Sequence, residues 1–205
     1  MDYNKVRQKE TVKKTISSLT ERNIKASLVS TGEEALAMIK SLIPAGASVM
    51  TGASTTLDQI GFTDLLKSSG HAWNNLKEAV AAEKDPAIQM RLRREATLAD
   101  YFLGSVHAVA EDGQLIIASN SGSQLPSYAY TSPNVIFVAG TQKIVPSLEE
   151  GLKRLEEYVI PLEDARMKSV GMGGTKLNKL LIFKGEPTYT GRNIRMIFVN
   201  EPLGF

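Results

Sequence analysis

The sequence predicts an α/β protein in which a mostly parallel, Rossmann-like sheet is flanked by helices and carries an antiparallel hairpin insertion. Three observations lead to this prediction. Short apolar runs alternate with helical patterns, which is typical of a parallel sheet covered on both faces. Thr31 and Glu34 have the spacing of a capping box, which predicts a helix start. The pair Asp112-Gly113 separates two apolar runs, which favours a hairpin.

The individual elements follow from periodicity and from residues that start or stop them. Pro44 ends the helix that begins after Thr31, and Asp85-Pro86 separates two further helices, because Asp caps a helix and Pro suits its first turn. The predicted helices are 2–22, 32–42, 57–60, 76–83, 87–99, 124–130 and 147–158. The predicted strands are 24–29, 47–50, 106–110, 114–118, 135–139, 180–183 and 194–199.

Length and composition favour a single domain over residues 1–205, with residues 1–23 forming an N-terminal helix that packs on it or extends from it. With 205 residues, 42% of them hydrophobic, the chain is long enough to bury one substantial core. The 24 basic and 22 acidic residues are interspersed, so that no field attracts nucleic acid. No signal peptide and no run of roughly 20 apolar residues is present, and we therefore expect a cytoplasmic protein.

The absence of cysteine limits the chemistry of the chain. It excludes disulfides, thiolate nucleophiles and zinc or iron–sulfur centres held by this chain's own cysteines. His71 and His107 are far apart and lack a second metal ligand at helical spacing, so we predict no metal site. No Gly-x-Ser-x-Gly elbow is present to support a serine nucleophile.

Three glycine- and hydroxyl-rich segments are candidate anion sites, because ligands of an open parallel sheet gather where strands end. The first follows the strand 47–50, the second follows the strand 114–118, and the third is a glycine cluster. Each has a simpler interpretation as a helix cap, a turn or a surface loop. The candidate ligand-binding residues are Thr51, Gly52, Ala53, Ser54, Thr55, Thr56, Asn120, Ser121, Gly122, Ser123, Gln124, Lys143, Gly171, Gly173, Gly174, Thr175, Asn178 and Lys179.

Two charged residues among the candidates have more specific roles. Lys143 follows the strand 135–139 and could be the counter-charge of a carboxylate, although a lysine in such a place is commonly solvated. Glu111 is the candidate catalytic carboxylate, and its alternative role is to end a strand at the hairpin tip.

The stretch Ala-Asp-Tyr-Phe-Leu-Gly-Ser-Val-His-Ala-Val-Ala-Glu-Asp-Gly-Gln-Leu, residues 99–115, resembles the central signature of LUD-domain (lactate utilisation) proteins. Further stretches with the same resemblance are 52–57, 60–61, 118–126, 142–146, 161–166 and 202–205. The resemblance implies the fold shared by sugar-phosphate isomerases and CoA transferases. It also implies a component of lactate utilisation that binds a small anionic metabolite and works with iron–sulfur partner proteins in oxidising lactate to pyruvate.

Two alternatives stay open at this point. One is a stand-alone acyl- or CoA-transferase-like enzyme with Glu111 as a covalent carboxylate. The other is a non-catalytic scaffold subunit. The sequence departs from better-studied relatives at Val106, where an isomerase has an aspartate, and at Asp112, which separates Glu111 from the glycine of the turn.

Overall fold

The computed structural model describes all 205 residues and contains ten strands in two sheets. The strands are β1 (Ile24–Val29), β2 (Ser48–Thr51), β3 (Asn74–Asn75), β4 (Tyr101–Gly104), β5 (Ala108–Ala110), β6 (Leu115–Ser119), β7 (Asn134–Gly140), β8 (Ile144–Val145), β9 (Lys179–Phe183) and β10 (Asn193–Val199). The α-helices are α1 (Lys9–Glu21), α2 (Gly32–Leu42), α3 (Thr55–Gln59), α4 (Phe62–Lys67), α5 (Leu76–Ala82), α6 (Pro86–Glu95), α7 (Leu148–Arg154) and α8 (Ile160–Ser169).

The larger sheet has six strands in the order β1-β10-β7-β4-β2-β3, and all of its pairs are parallel. The smaller sheet has the order β8-β5-β6-β9, in which β6 runs antiparallel to both neighbours. The predicted fold class is therefore confirmed. The hairpin of β5 and β6 does not extend the large sheet but builds a second one with β8 and β9.

The hydrophobic core lies in three layers between these elements. Alternate residues of β7 enter opposite faces of the large sheet: Phe137 joins the cluster under α1 and the small sheet, whereas Ile136 and Val138 join the cluster under α2, α3 and α4. A third cluster, which includes Ile116 and Leu155, lies between the small sheet and the helix that follows it. The strands β5 and β6 are thus buried on both faces, which explains why all their residues except Ser119 are apolar.

The predicted helix caps are confirmed in detail. Thr31 Oγ1 accepts from the N–H of Glu34 at 3.2 Å, and the Glu34 carboxylate accepts from the N–H of Ser30 at 2.7 Å. Asp85 accepts from the N–H groups of Ala87 and Ile88 at the start of α6. These bonds satisfy N–H groups that have no partner inside the helix.

Two predicted helices differ from the structure most in their bounds. The helix expected from residue 2 begins at Lys9, because the preceding residues cross to the small sheet, where Arg7 Nε donates to the carbonyl of Ile144 at 2.8 Å. The helix expected at 147–158 continues to Ser169 through a π-helical turn, Leu155–Val159. This turn shifts the hydrogen-bond register just before Pro161, whose nitrogen has no proton to donate.

A buried ion pair lies just before β10, and its arginine also holds the turn that precedes β7. Arg192 Nη1 lies 2.7 Å from Glu186 Oε2, and both side chains are at most 5% exposed. The same guanidinium donates to the carbonyls of Ser127, Tyr128 and Ser132, which lie in and after the π-helical turn Ser127–Thr131. Arg192 therefore sets the position of the turn that carries Tyr128.

We expect Arg192→Met to lower the free energy of unfolding by about 3–5 kcal/mol, because it leaves Glu186 buried without its partner. Chemical denaturation measures this loss. Arg195→Met, three residues further along in β10, is the control and should change stability by roughly 0.5 kcal/mol or less. The double variant Glu186→Leu, Arg192→Met should recover part of the loss; a double variant as unstable as the single one would contradict the role of the ion pair.

Candidate functional site

A cleft of about 400 Å³ opens where strands of the large sheet end. The segments that follow β2, β4, β7 and β10 all contribute to it, as do the loop after β6 and the inward face of α8. The carboxyl ends of parallel strands meet at one edge of a sheet, and this edge is where open α/β folds bind ligands. The position of the cleft thus follows from the topology.

The Lys143 side chain lies at the buried end of the cleft and is 3% exposed. Its Nζ donates to Thr56 Oγ1 at 3.0 Å, to Ser105 Oγ at 3.1 Å and to the carbonyl of Val106 at 3.2 Å. All three acceptors are uncharged, and no carboxylate lies within ion-pair distance of Nζ. Burial, with a smaller contribution from the charge of Arg154, lowers the pKa of Lys143 to about 7.

A second buried cation lies behind Lys143. Arg154 is fully buried, and its guanidinium lies 5.6 Å from the ring centroid of Tyr3 and 5.2 Å from that of Tyr158. It donates to the carbonyl of His107, and its Nε has no hydrogen-bond partner. Arg154 also lacks a carboxylate partner, so two buried positive charges influence each other with no negative side chain paired to either.

His107 and Tyr128 offer polar atoms to the cleft. His107 Nδ1 accepts from the N–H of Ala118 at 3.0 Å, so the ring proton lies on Nε2, which donates to no other group of the chain. Burial and the charges of Lys143 and Arg154 lower the pKa of His107 to about 3, which keeps the ring neutral. Tyr128 is 3% exposed, and its hydroxyl also makes no hydrogen bond; burial raises its pKa above the usual value of 10.0.

The opposite wall of the cleft comes from α8 and the segment after it. Arg166 forms a two-pronged pair with Glu163, with Nη2–Oε1 and Nε–Oε2 distances of 2.6 and 2.7 Å. This pair raises the pKa of Arg166. With Lys143 and Lys176, the lining holds three cations and one carboxylate. The cleft therefore favours negatively charged ligands.

The segment after β10 covers Lys143. The N–H of Gly204 donates to Gln59 Oε1 at 2.6 Å, and the carbonyl of Leu203 accepts from Gln142 Nε2 at 2.8 Å. Gly204 has a φ of +63°, and a Cβ there would overlap Thr56 Oγ1 and lie 3.1 Å from Lys143 Nζ. Glycine is thus required for this close approach.

Comparison with known proteins gives the family of the chain. The family model described as LUD domain matches residues 12–184. The chain belongs to the LUD-domain family. The crystal structure of a DUF162 family protein from Deinococcus radiodurans is similar in fold, with a TM-score of 0.55, 13% sequence identity and coverage of 93% of this chain and 95% of that one. No curated protein sequence matches the chain significantly.

The LUD domain brings most of the predicted ligand-binding residues together. Eleven of them line the cleft: Gly52, Ala53, Ser54, Thr55, Thr56, Asn120, Ser121, Ser123, Gln124, Lys143 and Thr175. Gly173 and Gly174 border an adjoining cavity of about 490 Å³ that shares Asn120 and Thr175 with the cleft. The three segments therefore face one continuous region, and their role in binding stays a prediction.

The remaining candidates lie outside both cavities. Thr51 is buried in β2, and Gly171 follows α8 with nothing within 4 Å of the position that a Cβ would take. Asn178 Nδ2 donates to Asn120 Oδ1 at 2.5 Å, and Lys179 donates to the carbonyl of Ser121 beside Gly122. Asn178 and Lys179 thus support the loop rather than face the cleft.

Glu111 lies at the outer hairpin, where its carboxylate pairs with Lys14 Nζ at 2.9 Å. It does not line the cleft, and we do not include it in the proposed site.

No group of three or more His, Asp and Glu residues could hold a metal ion. No helix has the length and apolar character needed to cross a membrane.

Sequence reasoning missed several cleft residues of the LUD domain. Ser105, His107, Tyr128, Glu163 and Arg166 line the cleft but were not candidates. Four of them lie in the stretches that resemble the LUD family, and that resemblance is the signal that could have found them. Tyr128 follows these stretches and has no local signal, because its position depends on Arg192.

We expect the stability of Lys143→Met relative to the parent chain to fall as the pH rises. Folding lowers the pKa of Lys143 from 10.5 to about 7, so its unfavourable contribution is complete below pH 7 and disappears toward pH 10.5. Between these values the parent chain should gain about 1.4 kcal/mol per pH unit from this residue. Urea denaturation from pH 6 to 10 measures the difference. If the difference in unfolding free energy between Lys143→Met and the parent chain does not change with pH, Lys143 is not desolvated. The control is Lys25→Met, which replaces an exposed lysine.

We expect Gly204→Ala to destabilise the LUD domain by about 1–3 kcal/mol more than Gly191→Ala, because only the former adds a collision. Both glycines have a positive φ, +63° and +69°, but nothing lies within 4 Å of a Cβ at Gly191. The matched pair therefore separates the collision from the backbone strain. Equal losses in thermal or chemical denaturation would show that the segment after β10 does not press on Lys143.

Proposed function

We propose that this LUD domain binds a small anionic metabolite, a 2-hydroxy or 2-oxo carboxylate, in the cleft, and that it acts as a cytoplasmic component of lactate utilisation. The observation that carries the proposal is the burial of Lys143 and Arg154, whose hydrogen-bond partners are all uncharged. An uncompensated buried charge costs several kcal/mol, and an anion in the cleft would offset that cost.

The uncharged donors of the cleft support a carboxylate ligand. The Tyr128 hydroxyl and His107 Nε2–H have no partner in the chain and are directional, so that they suit the oxygens of an organic acid. Met167, Phe205 and Ile160 line the same cleft and suit the carbon chain of such a ligand. Because the cleft volume of about 400 Å³ exceeds the volume of a three-carbon acid, longer acids of this class should be included in the binding test.

The composition of the chain supports a division of labour with other proteins. The chain has no cysteine, so any thiolate-held iron–sulfur centre of the reaction resides in another chain. Membership in the LUD family supports iron–sulfur lactate-utilisation proteins as those partners. In this proposal the LUD domain holds the organic acid, while the partners carry the two electrons of lactate oxidation.

Ligand-induced stabilisation tests the binding proposal directly. At a hundredfold excess over its dissociation constant, lactate or pyruvate should raise the free energy of unfolding by about 2.7 kcal/mol. Neutral lactamide is the matched ligand control. Lys143→Met should abolish the stabilisation, and the exposed-residue control Lys25→Met should retain it. Equal responses to lactate and lactamide would contradict an anion site.

Growth of the source organism tests the metabolic role. Deletion of the gene in a host without other lactate oxidases should abolish growth on lactate as sole carbon source, and the parent chain should restore it. Lys143→Met should not restore growth although the chain accumulates. Normal growth of the deletion strain on lactate would refute the role in lactate use. In a separate experiment, purification of the protein from its native host should yield iron–sulfur proteins bound to it.

A further inference from the structure

We propose that Lys143 forms a reversible imine with the carbonyl carbon of a 2-oxo acid bound in the cleft. This inference rests on the proposed function and gives it a chemical step. It concerns the amine itself: the proposed function needs a cation at this place, whereas the imine needs a nucleophilic nitrogen. The two roles can therefore be tested separately.

The surroundings of Lys143 Nζ permit a neutral amine. Two of its three neighbours are the hydroxyls of Thr56 and Ser105, which can either accept a hydrogen bond or donate one. Their own donations to backbone carbonyls are long, 3.4 Å for Thr56 and 3.3 Å for Ser105. Each hydroxyl can thus turn its proton toward the nitrogen when the ammonium loses one of its own.

The charges around Lys143 favour the same state. A surface lysine usually has a carboxylate or water that stabilises its ammonium form. Lys143 Nζ has no carboxylate partner, and its side chain is almost fully shielded from water. Arg154 adds a positive charge from behind, and the ring of His107 is neutral. A lysine in this environment is a usable nucleophile near neutral pH, as in other lysines activated by desolvation and a neighbouring cation.

The cleft also holds hydrogen-bond donors for the carbonyl oxygen. Tyr128 and His107 line the same cavity as Lys143, and neither the Tyr128 hydroxyl nor His107 Nε2 makes a hydrogen bond within the chain. A donor to the carbonyl oxygen makes its carbon more electrophilic and stabilises the oxygen as negative charge develops. Nucleophile and donors therefore come from three segments that the fold brings to one cavity.

The atoms of the step balance without an oxidant or reductant. The lone pair of Nζ attacks the carbonyl carbon, a C–N bond forms, and the C=O π bond breaks. The oxygen takes up two protons, one from the nitrogen and one from solvent; the C–O bond then breaks, and water leaves as the C=N bond forms. The product is a protonated imine, and addition of water reverses the step.

Imine formation would distinguish the two acids of the proposed reaction. A 2-oxo acid has the electrophilic carbon that the step needs, whereas a 2-hydroxy acid has none. The LUD domain would thus hold the oxidised acid covalently and the reduced acid only by hydrogen bonds and charge.

Reductive trapping tests the inference on the full chain. Incubation with pyruvate and sodium cyanoborohydride should convert the imine into a stable carboxyethyl group on Lys143, detected by intact mass and peptide mapping. Trapping at Lys143 should be at least about tenfold faster than at any exposed lysine, because the other amines are protonated at neutral pH. Oxamate, which has the shape of pyruvate but no ketone, should protect Lys143 from trapping.

Two variants separate the imine from the anion site. Lys143→Arg keeps the charge without the amine and should retain stabilisation by oxamate while losing the trapped product. In the control variant Lys25→Met, Lys143 should be trapped as it is in the parent chain. Oxamate binding together with modification spread evenly over surface lysines would overturn the imine and leave the proposed function standing. If neither oxamate nor pyruvate stabilises the chain, the proposed function fails.

Discussion

The arrangement of the cleft depends on a lysine that is buried without a carboxylate. Lys143 Nζ is held by three oxygens from two separate segments, one with Thr56 and the other with Ser105 and Val106. These segments follow β2 and β4, while Lys143 itself follows β7, so that the position of one nitrogen requires the correct order of three parallel strands. A buried charge of this kind lowers stability, and its retention makes sense where a ligand or a reaction uses it.

The smaller sheet gives the cleft its second half. Because β5 returns from the end of β4 and pairs with β6, His107 and the loop after β6 face the segments of the large sheet across the cavity. The long helix of α7, the π-helical turn and α8 then covers the small sheet and supplies Glu163 and Arg166. Arg154 is the last residue of α7, so this helix both closes the core and places a cation behind the site.

Local signals were sufficient for much of the fold. The capping residues Thr31 and Asp85 act as predicted because each bonds to N–H groups within three residues of itself. The strand β4 was not predicted, because it has only four residues and all of them are apolar. Such a short run has no alternation of apolar and polar residues that would indicate a strand. The extended segment before α1 was predicted helical because its contact to Ile144 comes from residues far away in the chain.

The sequence by itself determined that this protein alternates strands with helices and carries a hairpin at Asp112-Gly113. It also determined that the chain has no cysteine for redox centres and that it belongs with LUD-domain proteins. All of these properties depend only on local sequence pattern or on composition. The tertiary structure alone decided which polar residues meet. Tyr128, His107 and Lys143 converge through the buried Arg192 ion pair, the second sheet and the order of the parallel strands. Such convergence depends on contacts between residues distant in sequence, which no local window contains.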